Sequence, residues 1–212
     1  MKITIFGATG GTGTQLVRQA LAEGHEVTAV VRDPSRLTAG DPRAEVLRAD
    51  VMDPAAIEPA VAGRDAVVTA IGSRTVRAPT SVCADSVRSI IEAMEKAGVD
   101  RLVLVSAAGL EADAGDGPVT RHVLKPLLLQ RILKHPFADM RRAEEEVRAS
   151  GLRWTIVRPP RLTDRDRTGI YRTAEDLNIR GGRTISRADL ADCVLRLVED
   201  PGTTGHVISV AY

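Results

Sequence analysis

The chain opens with an apolar run, Lys2-Ile-Thr-Ile-Phe6, that passes through Gly7-Ala8-Thr9-Gly10-Gly11-Thr12-Gly13 into a helical pattern ending at Ala22. Binding a diphosphate requires backbone N–H groups at close range and a helix N-terminus aimed at the anion. Glycines supply the tight turn and leave room that side chains would fill. The spacing is Gly-x-x-Gly-x-x-Gly rather than the Gly-x-Gly-x-x-Gly of many dehydrogenases. A glycine loop alone can be a structural turn. Between the first strand and first helix of a βαβ unit it predicts dinucleotide binding, with Gly7, Thr9, Gly10, Gly11, Thr12 and Gly13 forming the loop.

Outward from that loop, short apolar runs alternate with helix-period stretches. Runs at Ile3–Phe6, Glu26–Val31, Ala44–Leu47, Ala66–Ile71, Leu102–Val105, Thr155–Val157 and His206–Val210 predict strands. Several are apolar throughout, as parallel strands covered on both faces are. Candidate helices lie at Gly13–Ala22, Pro54–Val61, Asp85–Ala97, Ala138–Ala149 and Arg187–Glu199. Gly24 and Gly98 sit where left-handed terminators belong, and Asp53-Pro54 and Ser186 where N-caps belong. This repetition gives a parallel sheet with right-handed crossovers. The expectation is one doubly wound α/β (Rossmann) domain over residues 1–212.

Two segments break the alternation. Residues 107–137 join a Gly/Asp-rich stretch to a stripe of Leu124, Leu127, Leu128 and Ile132, with basic residues around it. Residues 159–185 are polar and Arg-rich with little periodicity. Both follow strand C-termini, where ligands bind in open α/β sheets, and predict lids over a site.

Composition excludes other classes. A hydrophobic share of 43% with a charged share of 27% is that of a globular protein, not a disordered one. Twenty-nine basic residues against 28 acidic leave a formal charge of +1, too small a surplus for binding nucleic acid by phosphate neutralisation. Phe6, Phe137, Trp154, Tyr171 and Tyr212 are too few for a base-stacking platform. Cys83 and Cys193, far apart in helical contexts, predict neither a disulfide nor a metal site. His25, His122, His135 and His206 share no metal-like spacing, so no metal is expected. The opening MKITIFGATGG holds no stretch long enough for a signal peptide or a membrane span. These readings predict a cytoplasmic protein, monomeric or weakly self-associating, whose partner is a small molecule.

The end of the second strand selects the dinucleotide. It reads Val30-Val31-Arg32, with Asp33 next and Arg36 three places on. NAD-preferring enzymes place a carboxylate there for the ribose hydroxyls, whereas a guanidinium pairs bidentately with a 2′-phosphate. Arg32 and Arg36 therefore favour NADP over NAD. The alternative leaves both as solvated arginines and puts Asp33 on the ribose.

The motifs GATGGTG, VVRDPSRL, Asp50-Val51, IGSR at 71–74, LVSA at 104–107 and RPPRLTD at 158–164 resemble the atypical short-chain dehydrogenase/reductases with an NmrA-like NAD(P)-binding domain. Within that family the pattern is most similar to the flavin and biliverdin reductases, over essentially the whole chain. The resemblance implies NADPH held with Thr9, Gly10, Gly11 and Thr12 on the diphosphate and Arg32 and Arg36 on the 2′-phosphate. It implies Asp50 and Val51 at the adenine, and Ile71, Gly72 and Arg74 along the path to the nicotinamide. It also implies flavin-reducing activity. Arg161 and Met140 stand where that branch carries histidines, and an arginine at 161 favours an anionic or phosphorylated substrate such as flavin mononucleotide.

The usual short-chain dehydrogenase donates a proton from Tyr-x-x-x-Lys. Here Tyr171 is followed four places on by Glu175, and Tyr212 is the last residue. Lacking that acid, the chain is expected to prefer acceptors that delocalise the charge hydride brings, as flavins, quinones and conjugated tetrapyrroles do. Ser106, closing the fifth strand and placed to bond the nicotinamide carboxamide or the substrate, and Arg161 are the candidate catalytic residues; a serine bonding its own turn and a solvated loop arginine are the alternatives. The run Glu144-Glu145-Glu146 after Arg141-Arg142 predicts a solvated helix face. The expected function is an NADPH-dependent oxidoreductase passing hydride to a flavin or other conjugated small molecule. An NADP(H)-binding redox sensor of NmrA type and a secondary-metabolite reductase or isomerase are the alternatives.

Overall fold

The computed structural model describes residues 1–37, 43–73, 75, 78–118 and 133–212, and its layers follow from the first strand, β1 (Lys2–Phe6). Ile3 and Ile5 of β1 enter one core and Phe6 the other, the period-two alternation of a strand buried on both faces. Helix α1 (Gly11–Ala22) follows at once, and β2 (Glu26–Val31) returns parallel to β1. The alternation continues through β3 (Glu45–Arg48), α2 (Pro54–Val61), β4 (Ala66–Thr69), α3 (Val82–Ala97), β5 (Arg101–Val105), α4 (Lys134–Ala149) and β6 (Arg153–Arg158). Three short strands come next, β7 (Arg161–Thr163), β8 (Arg172–Glu175) and β9 (Thr184–Ser186). Helix α5 (Arg187–Glu199) and β10 (Val207–Ala211) close the chain.

The main sheet has the order β3-β2-β1-β4-β5-β6-β10-β8, parallel except where β8 pairs antiparallel with β10. β7 and β9 form a separate parallel pair. Helices α1 and α5 cover the Ile3/Ile5 face, and α2, α3 and α4 the Phe6 face. This is the doubly wound α/β fold expected from the sequence. Its consequence for function is that β1 to β6 all end on one edge, so the loops after Phe6, Val31, Arg48, Thr69, Val105 and Arg158 share it.

The caps read from sequence are in place. Asp53 accepts from the N–H of Ala55 and Ala56, Ser186 from that of Asp189, and Gly98 ends α3 at φ +69°. Three helices begin earlier than their apolar pattern predicts, α1 at Gly11 rather than Gly13, α3 at Val82 rather than Asp85 and α4 at Lys134 rather than Ala138. For α3 the reason is tertiary: Asp139 of α4, buried, accepts from the N–H of Cys83 and Ala84 at 3.0 Å each and caps α3 from outside. Residues 159–185, expected to lack regular structure, instead contain β7, β8 and the start of β9. Strands of three or four residues are too short to display alternation. The predicted stripe Leu124–Ile132 and Arg74 lie outside the described residues.

Candidate cofactor and substrate site

The glycine loop sits where the sheet order reverses, between β1 and its neighbours β2 and β4. Gly7 has φ +80°, and a Cβ there would lie 2.8 Å from the carbonyl carbon and oxygen of Ala70. A Cβ on Gly13 would lie 2.1 Å from the Gly7 oxygen. These two glycines let the loop fold against the exit of β4 and onto itself. The Gly10 N–H donates to the Gly7 oxygen (2.9 Å) and that of Thr14 to the Gly10 oxygen (2.8 Å). Gly10 caps α1 without a side chain, and the first turn carries no acid. The N–H groups of Gly11, Thr12 and Gly13 meet no acceptor among the described residues. Three converging donors at the positive end of a helix are suited to a phosphate.

At the end of β2, Arg32 and Arg36 are both exposed, and neither side chain makes a hydrogen bond or ion pair with another described residue. Asp33 behaves differently. Its Oδ1 accepts from the Ser35 N–H (3.1 Å) and hydroxyl (2.7 Å), capping the turn Pro34–Arg36. Those bonds hold its carboxyl below the ordinary carboxylate range. Asp33 is thus folded into its own turn while the arginines remain available. Register adds a guanidinium that the sequence reading missed: Arg48 pairs with Val31 at the end of β3, and its charge reaches Asp33. No local signal marks it, because only the β2–β3 pairing brings it there.

Strand β3 ends at Arg48 and β4 at Thr69, so Asp50 and Ile71-Gly72 lie in the following loops rather than at strand ends. A strand is bounded by its pairing, and Ala49 and Ala70 make its last backbone bonds, to Val31 and Phe6. Asp50 is exposed and accepts from the Met52 N–H (3.1 Å), shaping the turn that also holds half-buried Val51. Ile71 is half-buried against the α2/α3/α4 core, and Gly72 is exposed.

Ser106 directly follows β5, and its N–H donates to Val157 (2.7 Å). Its hydroxyl turns inward and donates to Glu144 Oε1 of α4 at 2.5 Å. Glu144 in turn accepts from Arg158 at the end of β6, Nε at 2.9 Å on Oε1 and Nη2 at 2.5 Å on Oε2. The two side chains are 5% and 6% exposed. Arg158 Nη1 also donates to Glu111 (2.7 Å). Burial disfavours the Arg158 charge, but the bonds to Glu144 and Glu111 outweigh it and push its pKa up, while Arg158 holds the Glu111 carboxyl down. The expectation of a solvated face at Glu144-Glu145-Glu146 is therefore corrected: Glu144 is buried in an ion pair. The signal that would have found it is its position four residues after Met140, on the helix face of Ala143 and Val147.

Beside this network lies a cleft of about 660 Å³ between the β5 and β6 exits and the segment 178–183. Its wall is largely apolar, with Phe137, Pro160 and Ile179, and also includes Arg158, Arg161 and Arg183. Arg161 is exposed and borders the cleft; Ser106 precedes its wall at Ala107. Asn178 fastens one side of the cleft, donating from Nδ2 to Asp113 (2.7 Å), Asp116 (3.1 Å) and the Glu111 carbonyl (3.2 Å). Tyr171 is elsewhere: its hydroxyl donates to buried Asp192 of α5, and burial and that bond push its pKa up. His206 is bonded to Asp176 (2.9 Å) beside Glu175, an exposed group that ties β8 to the start of β10.

A mostly parallel sheet with an amide-lined glycine loop at its reversal point defines a nucleotide-binding protein of Rossmann-like fold. The chain belongs to the NAD(P)H-binding family, which matches it over residues 7–201. It is 30% identical over 206 residues to the uncharacterised protein YwnB of Bacillus subtilis, covering 95% of this chain and 93% of that one. It is 31% identical over 157 residues to the (4-alkanoyl-5-oxo-2,5-dihydrofuran-3-yl)methyl phosphate reductase of Streptomyces griseus, covering 74% of this chain and 46% of that one. A short-chain dehydrogenase/reductase of Veillonella parvula, solved in complex with NADP, superposes with a TM-score of 0.82 at 20% identity, covering 100% of this chain and 94% of that one. No helix among the described residues is long and apolar enough to cross a membrane.

Proposed function

We propose that this chain is one cytoplasmic Rossmann domain acting as an NADPH-dependent oxidoreductase that passes hydride to a conjugated, anionic small molecule, such as a flavin, in the cleft bordered by Arg161. The observation that carries the reading is where the hydroxyl protons go. Ser106 donates to Glu144 and Tyr171 to Asp192, so neither offers a proton to a bound carbonyl. Hydride leaving the nicotinamide then needs an acceptor that spreads the incoming charge over its own ring system and takes its proton from water.

Arg32 and Arg36, with Arg48 beside them, support NADPH, since guanidiniums pair with a 2′-phosphate that a carboxylate would repel. Arg161 and Arg183 support an anionic substrate, and the Streptomyces griseus relative is named for reducing a phosphate ester. The test is NADPH oxidation by the purified protein with flavin mononucleotide, quinones and a linear tetrapyrrole. Turnover with at least one of these, faster with NADPH than NADH, is expected. Tight NADPH binding with inertness to the whole panel would instead favour a sensor.

A further inference from the structure

The space above Gly11 is already occupied. A Cβ on Gly11 would stand 2.7 Å from Cδ and 2.8 Å from Nε of Arg187, the first residue of α5. Arg187 therefore lies across the first turn of α1, at the rim of the unmet N–H groups of Gly11, Thr12 and Gly13. Its Nη1 is held by Asp164 Oδ1 at 2.5 Å, a carboxylate 87% exposed, while Nε and Nη2 donate to no described residue. Two elements converge to place it: Asp164 follows β7 and Arg187 follows β9, and β7 and β9 pair in parallel, Thr163 opposite Ser186. Helix α5 itself packs against α1 on the Ile3/Ile5 face, with Gln19 Nε2 donating to the Ala188 carbonyl at 2.9 Å, so its first residue reaches the glycine loop.

We propose that Arg187 is a direct ligand of the cofactor pyrophosphate, held at the loop by Asp164. This rests on the cofactor reading above and extends it. Backbone amides at a helix N-terminus supply directed donors but only a fraction of a positive charge. A pyrophosphate carries two negative charges, and a guanidinium whose Nε and Nη2 edge remains available can meet an anion side-on. Gly11 then has a second task beside admitting the phosphate, which is to leave room for the Arg187 stem.

The test compares nucleotides by isothermal titration calorimetry on the full chain. Arg187→Ala is expected to weaken NADPH and NADH alike by tenfold or more, because both carry the pyrophosphate. It should leave adenosine 2′-monophosphate, which lacks one, within twofold of wild type. Asp164→Ala removes the anchor but keeps the guanidinium, and is expected to bind NADPH at least as tightly as Arg187→Gln binds it and within a fewfold of wild type. Gly11→Ala should weaken NADPH in the wild-type background by displacing Arg187, and add much less in Arg187→Ala, since coupled residues are not additive. Should Arg187→Ala fail to fold, Arg187→Gln, of similar length without charge, replaces it. Unchanged NADPH affinity in the arginine variants overturns the inference, as does a parallel loss for adenosine 2′-monophosphate or an equal loss in Asp164→Ala. If wild type binds NADPH and only the arginine variants are indifferent, the cofactor reading stands without this ligand. If wild type binds neither dinucleotide, both fall.

Discussion

Replacing Glu144 by Gln tests whether the Ser106–Glu144–Arg158 network is a buried ion pair with structural consequence. The substitution keeps the side-chain shape but removes the charge facing Arg158, and turns an amide NH₂ toward a guanidinium that has only donors. Removing one partner of a buried pair costs about 3–5 kcal/mol, because the other charge is left uncompensated. Arg158 retains Glu111 at 2.7 Å, whose side chain is 58% exposed, so the lower end of that range applies. For a chain of this length each kcal/mol moves the melting temperature by roughly 2–4 °C. A loss of about 3 kcal/mol therefore predicts a fall of roughly 6–12 °C in calorimetry, with the urea midpoint lowered and the m-value unchanged. Arg158→Met alone should be comparably destabilising, and the double variant clearly less so than the sum, since no charge is then stranded. A Glu144→Gln protein that melts within a degree or two of wild type, or strict additivity with Arg158→Met, would refute the argument.

The other predictions concern ligand, loop, proton and acid. Arg32→Ala with Arg36→Ala should weaken NADPH by about tenfold or more while sparing NADH, given the strength of charge-assisted bonds; equal losses in titration would remove the 2′-phosphate role. Gly13→Ala places a Cβ 2.1 Å from backbone that cannot yield, so it should destabilise by about 1–3 kcal/mol and abolish the heat of nucleotide binding. Tyr171→Phe should keep NADPH turnover within about twofold yet melt lower, by about 1.5–3 kcal/mol for a bond to a charged acceptor; a collapse of turnover at full stability would make Tyr171 the acid after all. Asp192 is buried, which alone would raise its pKa, but Tyr171, Arg196 and Arg167 bond it and the net effect is a lowered value. A carboxylate whose folded pKa lies below its unfolded value, about 3.9, stabilises fully above that pH and less as pH falls through the folded value. Asp192→Asn should therefore be less stable than wild type at pH 7, with the gap in urea unfolding narrowing below about pH 4.

What was legible in the sequence was whatever is decided locally. The loop Gly7–Gly13 has its turn, strand and helix in adjacent residues, and Asp53, Gly98 and Ser186 act on their own helices. What was not legible depends on residues far apart in the chain meeting in space. Helix α3 starts early because Asp139, more than fifty residues on, caps it. Arg48 joins Arg32 only through strand register, and Arg187 reaches Gly11 only because α5 packs against α1. Glu144 lies between these cases. Its burial is written in the helical period, but a run of three glutamates after two arginines has the composition of a solvated face, and its partner comes from the next strand.

The buried network also bears on polarity in the site. A serine hydroxyl has one proton, and that of Ser106 is directed to Glu144, which Arg158 holds in place from two nitrogens. Any ligand atom that reaches Ser106 therefore meets a lone pair. An N–H satisfies it, whether from a nicotinamide carboxamide or from the imide of a flavin; a carbonyl oxygen does not. Reduction of an isolated ketone needs the reverse, a donor aimed at the oxygen where charge develops. Under the proposed function, a bound ring would be held through its N–H edge and its anionic groups, with the new negative charge left to the ring itself. On the proposed function, directing the Ser106 proton to Glu144 favours an electron-spreading acceptor over an isolated ketone.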